Sequence, residues 1–202
     1  EEALKQTIDL RTDNRVLDLC AAPGGKSTLI QSILSPQSLL LSNEVIKSRA
    51  VILEENITKW GGANVIITNN DPVDFARIGN FFDSIVIDAP CSGSGLFRRD
   101  PGAIEEWSEQ NVQHCSQRQQ RIISDVLPAL KKNGILIYST CSYSEQENED
   151  ILDWIINELA LESVRLEVPS EWNITETNSA KEGAFGYRFW PDKIKGEGFF
   201  MA

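Results

Sequence analysis

Hydrophobic and polar positions switch repeatedly between two periods along this chain. Residues 15–19 form a short apolar run that enters a turn of Ala21, Ala22, Pro23, Gly24 and Gly25, and residues 26–34 then predict a helix. Residues 39–42 are apolar again, and a helical stretch over 45–60 is stopped by Gly61 and Gly62. A third strand is expected at 65–68 and a fourth at 84–87. There Ile85, Val86 and Ile87 follow one another, as in a strand buried on both faces. A long helix is expected over 109–132, halted at Asn133 and Gly134, then a strand at 135–138 and a helix at 145–159. Residues 164–168 and 187–190 are weaker strand candidates, and the polar stretch 169–181 reads as a surface loop.

This alternation predicts an α/β fold with an open, mostly parallel sheet covered by helices. Such sheets bind ligands beyond the C-terminal ends of their strands, so each strand end is a candidate site. With 202 residues the chain fits one catalytic domain over 1–202, and apolar and charged fractions of 41% and 24% exclude a disordered or collagen-like chain. It opens at Glu1 and its one methionine is Met201, so it is expected to be a fragment of a longer protein. No apolar run approaches the roughly 20 residues that span a bilayer, so no membrane partner is expected, and with no secretion signal at its start a cytoplasmic protein with reduced thiols is expected.

The turn after the first strand carries Cys20, Ala21, Ala22, Pro23, Gly24, Gly25 and Lys26 and leads into a helix. Glycines let the backbone approach a ligand, and a helix N-terminus offers unpaired N–H groups. A plain tight turn is the bland alternative. Gly25-Lys26-Ser27 also looks like the end of a P-loop, and residues 85–88 like the magnesium strand of an NTPase. That reading lacks the earlier loop glycine, since Cys20 stands there, and Pro23 removes an N–H from the phosphate cradle. A nucleoside cofactor fits better. Glu44 follows the second strand, where a carboxylate can accept from both ribose hydroxyls, and Asp71 follows the third, placed to meet an adenine edge. An adenosine ligand without phosphates, S-adenosylmethionine, suits this turn.

Asp88, Pro90 and Cys91 follow the fourth strand, and Thr140 and Cys141 the fifth. Adjacent strands would set the two cysteines face to face across one crevice. A pair of buried strand-end cysteines is the plain alternative. Serine, glycine and proline around both suit loops lining a site better than a core. None of the four cysteines has zinc spacing, so no metal is expected. Cys20 is expected to pack beside the ligand, and Cys115 and His114 to be structural or exposed.

These segments resemble the Sun/Fmu-type RNA cytosine-C5 methyltransferases. The likeness covers residues 16–28, Asn43 and Glu44, Asp71, residues 88–95, 139–144 and 196–200, nearly the whole chain in family order. Paired Pro-Cys-Ser and Thr-Cys-Ser cysteines are its most specific mark, and residues 96–108 look nearest to the RsmF-type small-subunit rRNA enzymes. The resemblance implies a Rossmann-like class I methyltransferase with a mostly parallel seven-stranded sheet and helices on both faces. It implies S-adenosylmethionine held by residues 20–26, Glu44, Asp71 and Asp88. It also implies Cys141 as the nucleophile at cytosine C6, Cys91 assisting product release, Asp88 anchoring the cytosine edge or the cofactor, and Lys26 facing the base or the cofactor. An ordinary thiol is only a few per cent ionised at neutral pH, so the site is expected to favour the Cys141 thiolate.

Charge qualifies this picture. Nineteen basic residues against 30 acidic ones leave a net −11, which repels RNA. Arg98 and Arg99 beside the Pro-Cys loop are the best local candidates for phosphate contact. Flanking RNA-binding domains outside this chain, which family members carry, are expected to supply the rest. A fold-retaining assembly factor that has lost catalysis is the non-enzymatic alternative, disfavoured by the presence of both cysteines.

Overall fold

A computed structural model describes residues 1–202, which form two compact units: residues 1–88 with 122–137, and residues 89–121 with 138–202. The elements run α1 (Glu2–Thr7), β1 (Arg15–Asp18), α2 (Gly25–Ile33), β2 (Leu39–Asn43), α3 (Lys47–Trp60), β3 (Val65–Thr68) and β4 (Phe82–Asp88). They continue with α4 (Gly102–Glu106), α5 (Glu109–Val126), β5 (Leu130–Thr140), α6 (Glu149–Leu159), β6 (Thr175–Asn178), β7 (Phe185–Phe189) and β8 (Phe199–Met201). No helix is long and apolar enough to cross a membrane.

In the first unit the strands lie in the order β3-β2-β1-β4-β5. β1 pairs in parallel with β2 and β4, and β2 with β3. Parallel strands buried on both faces need continuous apolar side chains, and Val16, Leu17, Leu40, Ile85 and Ile87 are all fully buried. Leu53 and Ile57, one turn apart on α3, pack with Ala21 and Ala22 of the first turn and with Val65 and Ile67. Asp83 binds the unit's strands at their N-terminal ends: it accepts from the Arg15 amide at 2.9 Å and from Lys131 Nζ at 2.5 Å.

The second unit has the order β5-β8-β7-β6, with every pair antiparallel. Its core is aromatic: Tyr138, Tyr187 and Phe200 are buried. Arg188 is buried beside Glu149, donating from Nε at 2.7 Å and pairing again through Nη2, while Nη1 donates to the Tyr143 carbonyl at 3.1 Å.

The α/β class and the parallel half agree with the sequence pattern, but there are eight strands rather than seven. Two strands lie where none was expected, β8 (Phe199–Met201) and β6, the latter inside the stretch expected to be a loop, while the expected strand at 164–168 is absent. The Thr-Glu-Thr-Asn sequence of β6 carries no apolar alternation because it lies at the sheet edge, half-exposed, with β7 as its one neighbour. The long helix ends at Val126, not at 132. Pro128 lies in a 3₁₀ turn over Leu127–Ala129 that closes it, and β5 already starts at Leu130. Asn133, read as the helix stop, sits inside β5 at φ 62°. Residues 164–168 join no ladder. The Tyr187 hydroxyl accepts from the Leu166 amide at 2.6 Å and donates to its carbonyl at 3.2 Å instead.

Candidate active site

In the first unit the turn between β1 and α2 is held from outside by side chains. Arg49 Nη2 donates to the Ala22 carbonyl and Asn56 Nδ2 to that of Pro23, both at 2.7 Å. The Ala21 amide donates to the Asn43 carbonyl at 2.8 Å. Gly24 caps α2 at φ 114°, a conformation that strongly favours glycine. At Gly25 a side chain would meet nothing within 4 Å, so the mouth of the turn is open where the helix amides begin.

Asp18 lies under this turn, fully buried. Ser27 Oγ donates to its Oδ2 at 2.6 Å, and Ser42 Oγ donates to Ser27 Oγ at 2.9 Å. Its Oδ1 has no hydrogen-bond partner. Burial pushes the Asp18 carboxyl up to about 6, with the Ser27 hydrogen bond opposing, Asp88 adding to the rise, Lys26 opposing and Glu44 adding.

Glu44 is buried as well, at 2% exposure. Its Oε1 accepts from the Ile46 amide at 3.0 Å. Oε2 lies 3.2 Å from Arg49 Nη1 but has no aligned donor, so a buried carboxylate oxygen there is left without a hydrogen bond. Asp71 caps the 3₁₀ turn Pro72–Ile78 by accepting from the Val73 amide at 3.3 Å. Asp88, at the end of β4, pairs with Lys26 Nζ at 2.7 Å, both partly exposed.

The second unit holds both strand-end cysteines, and their Sγ atoms are 3.0 Å apart. None of the four cysteines is in a disulfide. The Cys91 thiol is pushed far up, first by its hydrogen bond to Cys141, then by burial and by repulsion from a Cys141 thiolate. Two thiols this close do not both ionise. The loops can meet because Gly95 has no side chain: its amide donates to the Cys141 carbonyl at 2.7 Å, and a Cβ would lie 2.3 Å from that oxygen. The following loop is fixed by Tyr143, which packs on Trp190 and donates to the Glu197 carbonyl at 2.5 Å.

Arg98, read as a phosphate contact, donates from Nη1 to the carbonyls of Pro191 at 3.4 Å and Gly196 at 3.2 Å, and remains exposed. Cys115 accompanies Asn111 on α5, and burial raises its thiol. No group of three or more His, Cys, Asp or Glu side chains is arranged to hold a metal ion.

Sequence reasoning passed over Ser92, Gln119, Ser142, Glu147 and Asn148, which together bind the two cysteine loops. Glu147 is completely buried and accepts four hydrogen bonds: Ser92 N at 2.8 Å and Gln119 Nε2 at 3.1 Å on Oε1, Ser92 Oγ at 2.5 Å and Ser142 Oγ at 2.6 Å on Oε2. Asn148 accepts from Thr140 Oγ1 at 2.6 Å and donates to the Ser142 carbonyl at 2.8 Å. The available signal was the repeated Cys-Ser: a serine directly follows each strand-end cysteine.

A mostly parallel α/β unit with a glycine turn after its first strand is the architecture of Rossmann-like methyltransferases. The signature of the family described as 16S rRNA methyltransferase RsmB/F matches residues 5–202, and the chain belongs to that family. Ribosomal RNA small subunit methyltransferase F of Psychromonas ingrahamii is 36% identical over 192 residues, 95% of this chain and 40% of that protein. The chain thus spans about two fifths of the length of such curated relatives. Among solved structures, NSun6 from Pyrococcus horikoshii with SFG is 29% identical at a TM-score of 0.79, over 94% of this chain and 47% of that one. A methyltransferase homolog protein from Pyrococcus horikoshii is 27% identical at a TM-score of 0.77, over 94% and 60%.

Proposed function

We propose that residues 1–202 are the catalytic domain of a cytoplasmic RNA cytosine-C5 methyltransferase that uses S-adenosylmethionine and acts on small-subunit rRNA. One observation carries the reading: the two strand-end thiols, Cys91 and Cys141, lie 3.0 Å apart. The family pattern gives the roles: Cys141 is the nucleophile and Cys91 assists product release. The names of the curated relatives supply the RNA class.

S-adenosylmethionine, when bound, supplies an electrophilic methyl group. Residues 20–26, Glu44, Asp71 and Asp88 would hold it, and they fit a phosphate-free adenosine. Glu44 Oε2 is a buried acceptor lacking a donor, as a ribose hydroxyl requires. Gly25 leaves the turn open, and Lys26 is already neutralised by Asp88, which suits a ligand without phosphates.

Cytosine C5 is a poor nucleophile. The Cys141 thiolate adds to C6, forming an S–C6 bond and making C5 enamine-like. After methylation the C5 proton leaves, the S–C6 electrons return to sulfur, and the C5–C6 double bond is restored. The first cause of the raised Cys91 thiol is its hydrogen bond to Cys141. Once Cys141 is a thioether, its hydrogen bond to Cys91 and its charge are both gone, while burial still raises the Cys91 thiol, which takes the role of assisting product release. A base inside a duplex must be unpaired or flipped out to react in this way. With a net charge of −11 the chain alone is expected to bind RNA weakly, its affinity coming from flanking domains.

The test uses the full-length protein with S-adenosylmethionine and small-subunit rRNA carrying 5-fluorocytosine, which blocks proton loss and traps the adduct. A denaturant-resistant protein–RNA band that Cys141→Ser abolishes is the expected result. Failure of the wild type to form it, with cofactor binding demonstrated, would favour the assembly-factor reading.

A further inference from the structure

We propose that Glu147 is a positioning residue for this reaction, a buried clamp that fixes the Cys91 loop against the Cys141 loop. The inference rests on the methyltransferase reading above. Each of the two loops places a serine directly after its cysteine, and both hydroxyls donate to the same carboxylate oxygen, at 2.5 and 2.6 Å. The other oxygen takes the Ser92 amide, so the Cys91 loop is gripped through backbone as well as side chain. Gln119 of α5 completes the set, donating to Glu147 and to the carbonyl of Pro90 at 3.0 Å, the residue before Cys91.

A carboxylate accepts at two oxygens and donates nothing, so four converging donors define its position closely. Burying an ionised carboxylate is costly unless its acceptor sites are filled, and here each oxygen receives two hydrogen bonds. Such a group is an expensive way to fill space but a precise way to hold two loops. Asn148 grips the Cys141 loop again, through Thr140 and the Ser142 carbonyl. Two loops that must deliver one thiol to attack and another to release need a separation that does not drift, because small misplacements of reacting groups cost large factors in rate.

The role is geometric, and this predicts an ordering of variants. In Glu147→Gln the amide nitrogen can turn toward the Ser92 and Ser142 hydroxyls, which can accept as well as donate, while Oε1 keeps the Ser92 amide and Gln119. All four contacts survive without the charge. Glu147→Ala removes them all.

The test needs one readout independent of turnover. Diamide takes two electrons and two protons from a dithiol, and the rate of Cys91–Cys141 disulfide formation, mapped by peptide mass spectrometry, reports how steadily the sulfurs are held together. In the full-length protein, Glu147→Ala should cross-link at least tenfold more slowly than wild type. Its single-turnover methylation should fall at least tenfold, with the cofactor Kd within twofold of wild type. Glu147→Gln should recover both rates to within about threefold. If Glu147→Ala fails to fold, as judged by loss of cofactor binding, the double variant Ser92→Ala/Ser142→Ala removes the two hydroxyl contacts and should slow both rates in the same direction. Wild-type rates in Glu147→Ala, or in the double variant where that replaces it, would overturn the clamp, as would a Glu147→Gln as slow as Glu147→Ala. A wild type that transfers no methyl group to rRNA would count against the methyltransferase reading alone. The cross-linking difference would still uphold or overturn the clamp.

Discussion

The hydroxyl of Ser27, on the first turn of α2, donates at 2.6 Å to the carboxylate of Asp18, the last residue of β1, and Asp18 is completely buried. One hydrogen bond does not offset that burial, so the carboxyl rises to about 6 from an ordinary 3.8. Between these values the native state holds a proton that the unfolded chain has released, so stability falls as pH rises through this window and levels off above it. At about 1.4 kcal/mol per pH unit the loss is about 3 kcal/mol. Asp18→Asn keeps an acceptor for Ser27 and has no proton to lose. Denaturant titrations between pH 4 and 8 should show wild type losing up to that amount relative to Asp18→Asn. A difference that is flat across the window would refute the buried ionisation.

Glu44 offers a buried oxygen with no hydrogen-bond donor, beside an arginine that is close but misaligned. A ribose hydroxyl donating there makes a charge-assisted bond, worth about 1.5–3 kcal/mol. Glu44→Ala should therefore weaken S-adenosylhomocysteine binding by roughly 10- to 150-fold in calorimetry. Glu44→Gln, which keeps an acceptor, should lose less. A 2′-deoxy analogue should lose part of its affinity for wild type and show a smaller further loss with Glu44→Ala. Equal losses for both ligands would place Glu44 away from the ribose.

The parallel half of the fold was legible because its strands are buried on both faces, and runs such as Ile85-Val86-Ile87 admit few other readings. The antiparallel half was less so. β6 is an edge strand built from Thr175, Glu176, Thr177 and Asn178, whose polarity reads as a loop until Phe185–Phe189 is known to lie beside it. Lys131 and Lys132 extend a helical pattern, yet Lys131 is there to pair with Asp83 on a strand. In the site, the cysteines and strand-end carboxylates stood out because their chemistry is unusual at those positions. Glu147 did not. In Glu145-Gln146-Glu147-Asn148-Glu149 it looks like one more charge on a solvated helix start, and only the tertiary fold gives it four donors.

Gly95 is a sharper test of how the cysteine loops meet. A methyl group at this position would lie 2.3 Å from the Cys141 carbonyl oxygen, a backbone atom that cannot swing aside. Gly95→Ala must therefore push the two loops apart or break the 2.7 Å hydrogen bond between them. Overpacking of this kind costs about 1–3 kcal/mol. The variant should show a comparable loss in thermal or denaturant unfolding and at least a tenfold fall in methylation, with cofactor affinity kept. An active Gly95→Ala of wild-type stability would mean that the loops are not in contact.

The two cysteines should separate cleanly by the species each variant accumulates. In the proposed mechanism Cys91 is idle while Cys141 attacks, and the contact between the two sulfurs is lost when Cys141 bonds to C6. On that proposal, Cys91→Ala removes the group needed after methylation and leaves attack intact. It should stall as a covalent protein–RNA adduct on ordinary cytosine RNA, visible as a shifted band in a denaturing gel, with product formation down by at least about 100-fold, within the range general acid–base groups contribute. Cys141→Ala removes attack itself and should show neither adduct nor product. The double variant should behave like Cys141→Ala, since release has nothing to act on. Adduct accumulation in Cys141→Ala instead, with none in Cys91→Ala, would exchange the two roles.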